Sequence, residues 1–190
     1  MDRPIVIKDV LKNELFFFLN ETLHKHSRWR FNNLSYAGGA PTWGYDRDTD
    51  SELIYYKAAT IIKCKIQRYI RKNIRLCKIH CNGQTSGQIS EFHRDFEFND
   101  TWTFVLFTEC DWNTQWGGEF VSQHIDSKEY FYTPYIPNTG ALIPAIWDHY
   151  GQSPNANTHN IRTTMAFSYM EENLFHVNVR DTPEAFLRYT

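Results

Sequence analysis

The stretch SEFHRDFEF, residues 90–98, contains the pattern on which the interpretation of this chain depends. Apolar and polar residues alternate in it, which is typical of an extended segment whose every second side chain lies on the same side. His93 and Asp95 therefore project together, and Arg94 projects away from them. One imidazole and one carboxylate are two thirds of the facial triad that binds non-heme Fe(II). The pattern alone is weak, because His124 and Asp126 repeat it and an isolated copy is more often a surface histidine beside a solvated aspartate.

Length and composition predict a globular protein with a sizeable core. The chain has 190 residues, 42% of them hydrophobic and 16% aromatic, and its net charge is -2. This charge argues against a general electrostatic attraction to nucleic acid or to a membrane surface. Neither a signal peptide nor an apolar run of about 20 residues is visible, so we expect a cytoplasmic protein without a membrane span. The four cysteines form no CxxC pair, which favours reduced thiols; they are Cys64, Cys77, Cys81 and Cys110.

The N-terminal part of the chain predicts a strand, two helices and a loop. Residues 4–7 form a short strand, and Asp9 is a candidate cap for a helix over 11–24. Residues 28–49 are rich in turn signals and aromatic side chains, and we interpret them as a long ordered loop. The first helix has an apolar stripe at helical spacing, made of Leu11, Leu15, Phe16, Phe18, Leu19 and Leu23.

A second helix is predicted to begin at Ser51, because apolar residues then recur every three or four positions through Tyr69. The opposite side of this helix is basic, and no acidic residue occurs between Lys57 and Lys78. Such a run is usually a solvated helix face. An acidic partner or a nucleic-acid backbone is the alternative interpretation.

From Ile74 onward the apolar pattern changes to a period of two, which indicates strands. About eight short strands after two helices predict a mainly β fold, a double-stranded β-helix (jelly roll) with the N-terminal helices packed on one sheet. We expect one domain over residues 1–190, with an N-terminal part at 1–73, the jelly-roll core at 74–170 and a C-terminal tail at 171–190. The predicted strands are 74–81, 89–94, 101–109, 118–124, 129–136, 140–146, 149–152 and 162–170.

A third metal ligand is expected well downstream, on a strand of the same barrel. His149 ends an apolar strand and is the best candidate, while His159 is an alternative in a polar loop. His124 lies too close to His149 in sequence for several strands to intervene. Arg162 then begins the next strand, where a guanidinium would pair with a planar carboxylate.

Together these residues resemble the catalytic domain of prolyl 4-hydroxylase-type Fe(II)- and 2-oxoglutarate-dependent dioxygenases. The resemblance covers about residues 74–170 and includes the Gly117-Gly118-Glu119 motif. It implies an enzyme that uses Fe(II), 2-oxoglutarate and O2, with ascorbate as a supporting reductant, and that releases succinate and CO2. It also implies roles for individual residues: metal binding by His93, Asp95 and His149, and cosubstrate binding by Arg162, Thr103 and His80.

Three positions depart from the family pattern. The loop between His149 and Arg162 is longer than usual, His80 stands where the family often has a tyrosine, and Phe107 replaces a second tyrosine. None of these changes removes a metal ligand. Because Asp95 is retained, the sequence disfavours halogenation, in which family members lose the carboxylate.

The resemblance favours a peptidyl proline as substrate, with a free amino acid or other small metabolite as the alternative and a nucleobase as the third candidate. A non-catalytic jelly roll that binds a partner is the competing class and would take up no iron. We further interpret the aromatic residues as walls of a groove at the barrel mouth that suits a proline ring. Filling of the interface between helices and barrel is the other interpretation of these residues, which are Trp29 to Tyr45, Trp112, Trp116 and Trp147. Nothing in the sequence predicts the oligomeric state.

Overall fold

The computed structural model describes residues 1–25, 29–33, 39–46, 53–88 and 90–174. Ser51 and most of the predicted tail at 171–190 lie outside these residues. A 3-10 turn at Thr114–Trp116 lies between the strands at 101–107 and 120–123. The elements in chain order are β1 (Ile5–Ile7), α1 (Asn13–Lys25), β2 (Arg30–Asn33), β3 (Thr42–Asp46), α2 (Leu53–Ile70), β4 (Ile74–Gln84), β5 (Thr101–Phe107), β6 (Phe120–Gln123), β7 (Tyr130–Thr133), β8 (Gly140–Pro144), β9 (Asp148–Gly151) and β10 (Arg162–Glu171).

Two antiparallel sheets form the body of the molecule. The larger sheet has seven strands in the order β1-β8-β5-β10-β4-β3-β2, and the smaller has three in the order β7-β6-β9. Consecutive strands in sequence therefore often belong to different sheets, which is the jelly-roll connectivity. The predicted fold class, mainly β with flanking helices, is confirmed.

Both faces of the larger sheet are buried, and strand alternation divides its side chains between two cores. All seven residues of β5 are buried. Phe104 and Leu106 pack in the cluster that includes the helices. Val105 and Phe107 pack in a second cluster, together with Phe120 of the smaller sheet. The second cluster therefore lies inside the barrel, where the metal-ligand candidates also project.

The two helices cover the outer face of the larger sheet, as predicted. In α2, Tyr55, Ala59, Ile62 and Ile66 are buried, and the hydroxyl of Tyr169 on β10 donates to the carbonyl of Ala59 at 2.8 Å. No helix in the described part of the chain is long and apolar enough to cross a membrane.

Part of the predicted α1 stripe is wrong. Phe16 is 4% exposed, whereas Phe18 is 57% exposed. Residues two apart in a helix lie about 200° apart around its axis, so these two cannot share one face. Asp9 is not the cap either, because it has a φ of 48° and lies four residues before the helix begins at Asn13.

Two further segments differ from the sequence-based prediction. The described parts of 28–49 include strands β2 and β3, which form a hairpin on the edge of the larger sheet, with Trp43 opposite Gly83 of β4. Turn residues dominate this sequence, so the strand signal depends on pairing with β4, which local sequence does not reveal. The predicted strand 89–94 is reduced, in its described residues, to a single bridge at His93.

The basic run from Lys57 to Lys78 is divided between α2 and β4. The Lys65 amino group donates to the carbonyl of Asp9 at 2.7 Å. The Lys72 amino group lies 2.5 Å from Asp100 and 2.8 Å from Glu171. These lysines stabilise the chain locally, so the run is not one uninterrupted basic surface.

The contrast between Phe16 and Phe18 gives a test of how α1 packs. Phe16→Ala should lower the free energy of unfolding by about 3–5 kcal/mol, since it leaves a cavity under the helix. Phe18→Ala on the same helix should change it by less than about 0.5 kcal/mol. Chemical denaturation of both variants measures the difference, and equal losses would contradict the packing described.

Candidate metal centre

Backbone hydrogen bonds bring the three predicted metal ligands to one place. The amide of His93 donates to the carbonyl of His149 at 3.1 Å, and the amide of His149 donates to the carbonyl of His93 at 2.9 Å. The amide of Asp95 donates to the carbonyl of Ala145 at 3.1 Å. The stretch 90–98 is thereby fixed along β9 of the smaller sheet and the turn that precedes it.

The side chains of these three residues form a compact set with one ligand atom each. His93 Nε2 lies 4.0 Å from Asp95 Oδ1, and His149 Nε2 lies 3.6 Å from Asp95 Oδ2. All three ligand atoms lie within 4.8 Å of one another. Ligands bound at roughly 2.0–2.2 Å on one face of an ion lie about 3 Å apart. A small inward movement would therefore suit a divalent transition metal.

Both imidazoles are held in the tautomer that metal binding requires. Nδ1 of His93 lies 3.0 Å from the carbonyl of Glu91, and Nδ1 of His149 lies 2.9 Å from the carbonyl of Trp147. A carbonyl only accepts hydrogen bonds, so each Nδ1 carries the proton and each Nε2 keeps a lone pair. Such contacts orient metal-binding histidines in general.

The charge states of the set also suit a cation. Burial, aided by the nearby His149, lowers the pKa of His93 to about 4, so its imidazole is neutral at pH 7. The pKa of the Asp95 carboxyl is lowered, because His149, His93 and a short hydrogen bond from the Thr103 hydroxyl outweigh burial, which opposes ionisation. The site therefore offers two imidazole nitrogens and one carboxylate.

A salt bridge outside the set holds the same segment in place. The guanidinium of Arg94 donates to both carboxylate oxygens of Asp148, at 2.9 and 3.1 Å. Arg94 lies between two ligand candidates in sequence, and Asp148 lies beside the third. Sequence reasoning placed Arg94 on the opposite side from His93 but missed this partner, because the two residues are 54 positions apart.

The other histidine candidates are elsewhere. Nδ1 of His124 accepts hydrogen bonds from the amides of Asp126 and Ser127. The second histidine–aspartate pattern therefore stabilises a local turn. His159 is exposed and lines a separate cavity, to which none of the three metal-ligand candidates contributes.

Arg162 begins β10 and is 2% exposed. Its Nε donates to the carbonyl of Gly118 at 2.7 Å, and one terminal nitrogen donates to the Gln84 side chain at 2.9 Å. The other terminal nitrogen is buried without a hydrogen-bond partner. Burial lowers the pKa of Arg162 to about 10, which still leaves it cationic at pH 7. A buried cation with a free donor is costly unless an anion binds it.

Gly118 and Gly151 leave space for the Arg162 side chain. Gly118 has a φ of +83°, and a Cβ there would lie 3.1 Å from Cδ of Arg162 and 3.0 Å from the Trp112 ring. A Cβ at Gly151 of β9 would lie 2.7 Å from a terminal nitrogen of Arg162. Larger residues at either position would displace the guanidinium.

Tyr135 is a site residue that sequence reasoning missed. Its ring stacks on Phe107 at 4.8 Å, and the Arg162 guanidinium lies 5.3 Å from its centroid. Its hydroxyl donates to the carbonyl of Thr163 at 2.5 Å and accepts from the Glu109 amide at 2.8 Å. Tyr135 follows β7, so only the closed barrel brings it beside Phe107.

The remaining cosubstrate candidates occupy the interior side of the larger sheet. Thr103 donates to Asp95, so its hydroxyl supports the candidate metal ligand. His80 of β4 pairs with Ala166 of β10, and its proximity is a minor influence that lowers the pKa of His93. Contacts of Thr103 and His80 with a cosubstrate stay predictions.

The predicted aromatic groove is wrong for Trp29, Trp112, Trp116 and Trp147. Tyr36 of the same stretch lies outside the described residues, and Trp43 is half-buried against Phe31. Trp112 and Trp147 are 7% and 2% exposed and belong to the core inside the barrel, with Trp116 packed against them. Trp29 packs with Tyr45 at a ring separation of 5.0 Å, on the helix side of the larger sheet. These rings lie in two cores on opposite faces of the sheet, so they fill interfaces.

Neither a protein-family model nor a curated protein sequence gives a significant match to this chain. Solved structures do match. HygX from Streptomyces hygroscopicus, solved with nickel, 2-oxoglutarate and hygromycin B, is 12% identical with a TM-score of 0.68, covering 89% of this chain and 83% of its own. The chain has the fold of 2-oxoglutarate-dependent oxygenases.

Two other structural neighbours show how widely this fold is used. The non-heme α-ketoglutarate-dependent epimerase SnoN from nogalamycin biosynthesis is 14% identical (TM-score 0.68, 90% of this chain and 78% of that one). A Trichoplax adhaerens prolyl hydroxylase, in complex with a hypoxia-inducible factor peptide, is 13% identical (TM-score 0.68, 93% and 87%). The neighbours are enzymes of the predicted class, and their substrates differ.

The geometry of the set predicts the effect of removing its carboxylate. Asp95→Ala should weaken Fe(II) binding at this site by roughly 100-fold or more, since loss of an outer-shell partner alone costs about 10–100-fold. Anaerobic equilibrium dialysis should show one bound equivalent fewer than in the unsubstituted protein. Asp126→Ala, in the repeated pattern, should change nothing. An unchanged iron content in Asp95→Ala would contradict the ligand set.

Proposed function

We propose that this protein is an Fe(II)- and 2-oxoglutarate-dependent dioxygenase that hydroxylates its substrate. The proposal rests on two features that occur together inside the barrel, the metal-ligand candidates and Arg162. Two imidazoles and a carboxylate lie within 4.8 Å of one another, and the buried Arg162 has an unpartnered donor. A metal-binding set and a separate anion-binding group are the two attachments that 2-oxoglutarate needs.

In this proposal His93, Asp95 and His149 hold Fe(II), and Arg162 binds the far carboxylate of 2-oxoglutarate. Bound iron and cosubstrate supply the activation of O2, with release of succinate and CO2. The chain contributes fixed geometry. Thr103 keeps the Asp95 carboxylate oriented and ionised. The buried rings of Phe107 and Phe120 exclude water from the barrel interior.

The first test is an anaerobic titration with Fe(II) and 2-oxoglutarate, followed by an assay for succinate after O2 is admitted. The proposal predicts that 2-oxoglutarate binds only when Fe(II) is present and that succinate forms. A non-catalytic jelly roll would bind neither, and that outcome would move the protein to the binding-module class. Ascorbate should support turnover by restoring Fe(II) that has been oxidised.

The cosubstrate assignment predicts a separable effect of Arg162. Arg162→Ala should weaken 2-oxoglutarate binding roughly 30-fold or more, since losing one partner of a buried charge pair costs about 2–5 kcal/mol. Fe(II) affinity should stay nearly unchanged, because Arg162 contacts no metal-ligand candidate. Arg162→Lys should recover part of the loss. The control is Arg68→Ala on the exposed side of α2, and an unchanged 2-oxoglutarate dependence in Arg162→Ala would overturn the assignment.

For the substrate we propose a peptidyl proline. The motif resemblance to prolyl 4-hydroxylases supports it, as does the neighbour in complex with a peptide. The predicted tryptophan groove gives the peptidyl-proline proposal no support, because those rings lie in the cores. A small polar metabolite, such as a free amino acid, is the second candidate. HygX, which was solved with hygromycin B bound, is a structural neighbour whose printed ligand is a small molecule.

A matched substrate screen separates these candidates. Proline-containing peptides should raise succinate formation above the uncoupled background and gain one oxygen in mass. The same peptides with alanine in place of proline should do neither. Stimulation by a free amino acid or a methylated base, with none from any peptide, would assign the protein to another branch of these oxygenases.

A further inference from the structure

A serine inside the barrel has a polar atom without a partner. Ser122 lies on β6 and is 0% exposed. Among the described residues, its hydroxyl has no hydrogen-bond partner. Only one other buried side-chain nitrogen or oxygen atom in the described ranges shares this property, the terminal nitrogen of Arg162. Such groups are rare in folded proteins, because they lose their hydrogen bonds to water and gain none in return.

Ser122 faces the barrel interior, on the same side of its strand as Phe120. Phe120 belongs to the core cluster inside the barrel. In the antiparallel ladders of the smaller sheet, Ser122 is directly opposite His149 on one side and Phe131 on the other. Residues opposite each other have Cβ atoms about 4.5–5.5 Å apart. The hydroxyl is therefore next to the metal-ligand candidate His149.

The two side chains opposite Ser122 do not satisfy its hydroxyl. Phe131 is apolar. In His149, Nδ1 lies 2.9 Å from the carbonyl of Trp147, and Nε2 lies 3.6 Å from Asp95 Oδ2. Both nitrogens of this imidazole are therefore engaged elsewhere, so Ser122 does not orient the ring. The hydroxyl remains available to a ligand.

The two unpartnered atoms inside the barrel are spaced along β9. Arg162 contacts β9 at Gly151, where a Cβ would lie 2.7 Å from one of its terminal nitrogens. Ser122 is opposite His149, two residues earlier on the same strand. Two residues of a strand span about 7 Å. An extended five-carbon chain with a carboxylate at each end can reach over such a distance, so one ligand can contact both donors.

We propose that the Ser122 hydroxyl is a further cosubstrate-binding group, which donates a hydrogen bond to the metal-binding end of 2-oxoglutarate. This inference rests on the proposed function. Arg162 binds the far carboxylate in this assignment, and Ser122 binds an oxygen of the 2-oxo acid end. Hydrogen bonds to ionised acceptors are roughly twice as strong as those between neutral groups. The serine therefore adds to cosubstrate affinity without binding the metal.

The test measures two properties of Ser122→Ala. The substitution removes a buried hydroxyl that has no protein partner, so the Tm of the metal-free variant should equal or exceed that of the unsubstituted protein. In an anaerobic titration with Fe(II) present, the affinity for 2-oxoglutarate should fall roughly tenfold or more, with Fe(II) affinity unchanged. Ser127→Ala, in the exposed turn after β6, is the matched control and should change neither affinity.

Two outcomes would overturn the proposal. If Ser122→Ala binds 2-oxoglutarate as tightly as the unsubstituted protein, the hydroxyl is satisfied by a buried water. If the metal-free variant has a lower Tm, the hydroxyl has a structural role. Both outcomes concern the serine alone. Failure of the unsubstituted protein to bind 2-oxoglutarate with Fe(II) present would instead overturn the proposed function, and this inference with it.

Discussion

The candidate metal centre depends on one backbone interaction, the reciprocal pair of hydrogen bonds between His93 and His149. The two residues are 56 positions apart, and the segment around His93 has no other strand pairing among the described residues. This bridge sets the position of both imidazoles at once. Each ring then bonds to the carbonyl two residues before it, Glu91 for one and Trp147 for the other. Because local backbone carbonyls set the orientation of both rings, the positions of the ligand atoms do not depend on a bound metal.

A second constraint, the burial of Arg162, fixes the other end of the barrel interior. Gly118 and Gly151 are small where the guanidinium lies against the backbone, and Gln84 and the carbonyl of Gly118 satisfy two of its nitrogens. The third is left for a ligand. A buried cation with an unpartnered donor destabilises the fold unless an anion binds it. The burial of Arg162 is therefore a physical reason to expect an anion beside it.

The local sequence pattern was sufficient to predict those elements whose formation depends on residues close in sequence. Period-two alternation located the strands of the core, helical spacing located α2, and the alternation in residues 90–98 put His93 and Asp95 on one side. The local pattern did not predict contacts between residues that are far apart in sequence. The β2–β3 hairpin forms on the edge that β4 provides, and Tyr135 reaches Phe107 only in the closed barrel. Tryptophans were assigned to a groove because aromatic residues suit binding surfaces and cores alike, and sequence does not report which side of a sheet they cover.

Tyr135 also connects Arg162 to the segment that follows β5. Its ring lies against Arg162, and its hydroxyl joins the amide of Glu109 to the carbonyl of Thr163, the residue after Arg162. The position of the 109–111 turn is therefore linked to the backbone beside Arg162. The contact is short and buried, so it transmits displacement better than exposed side chains would.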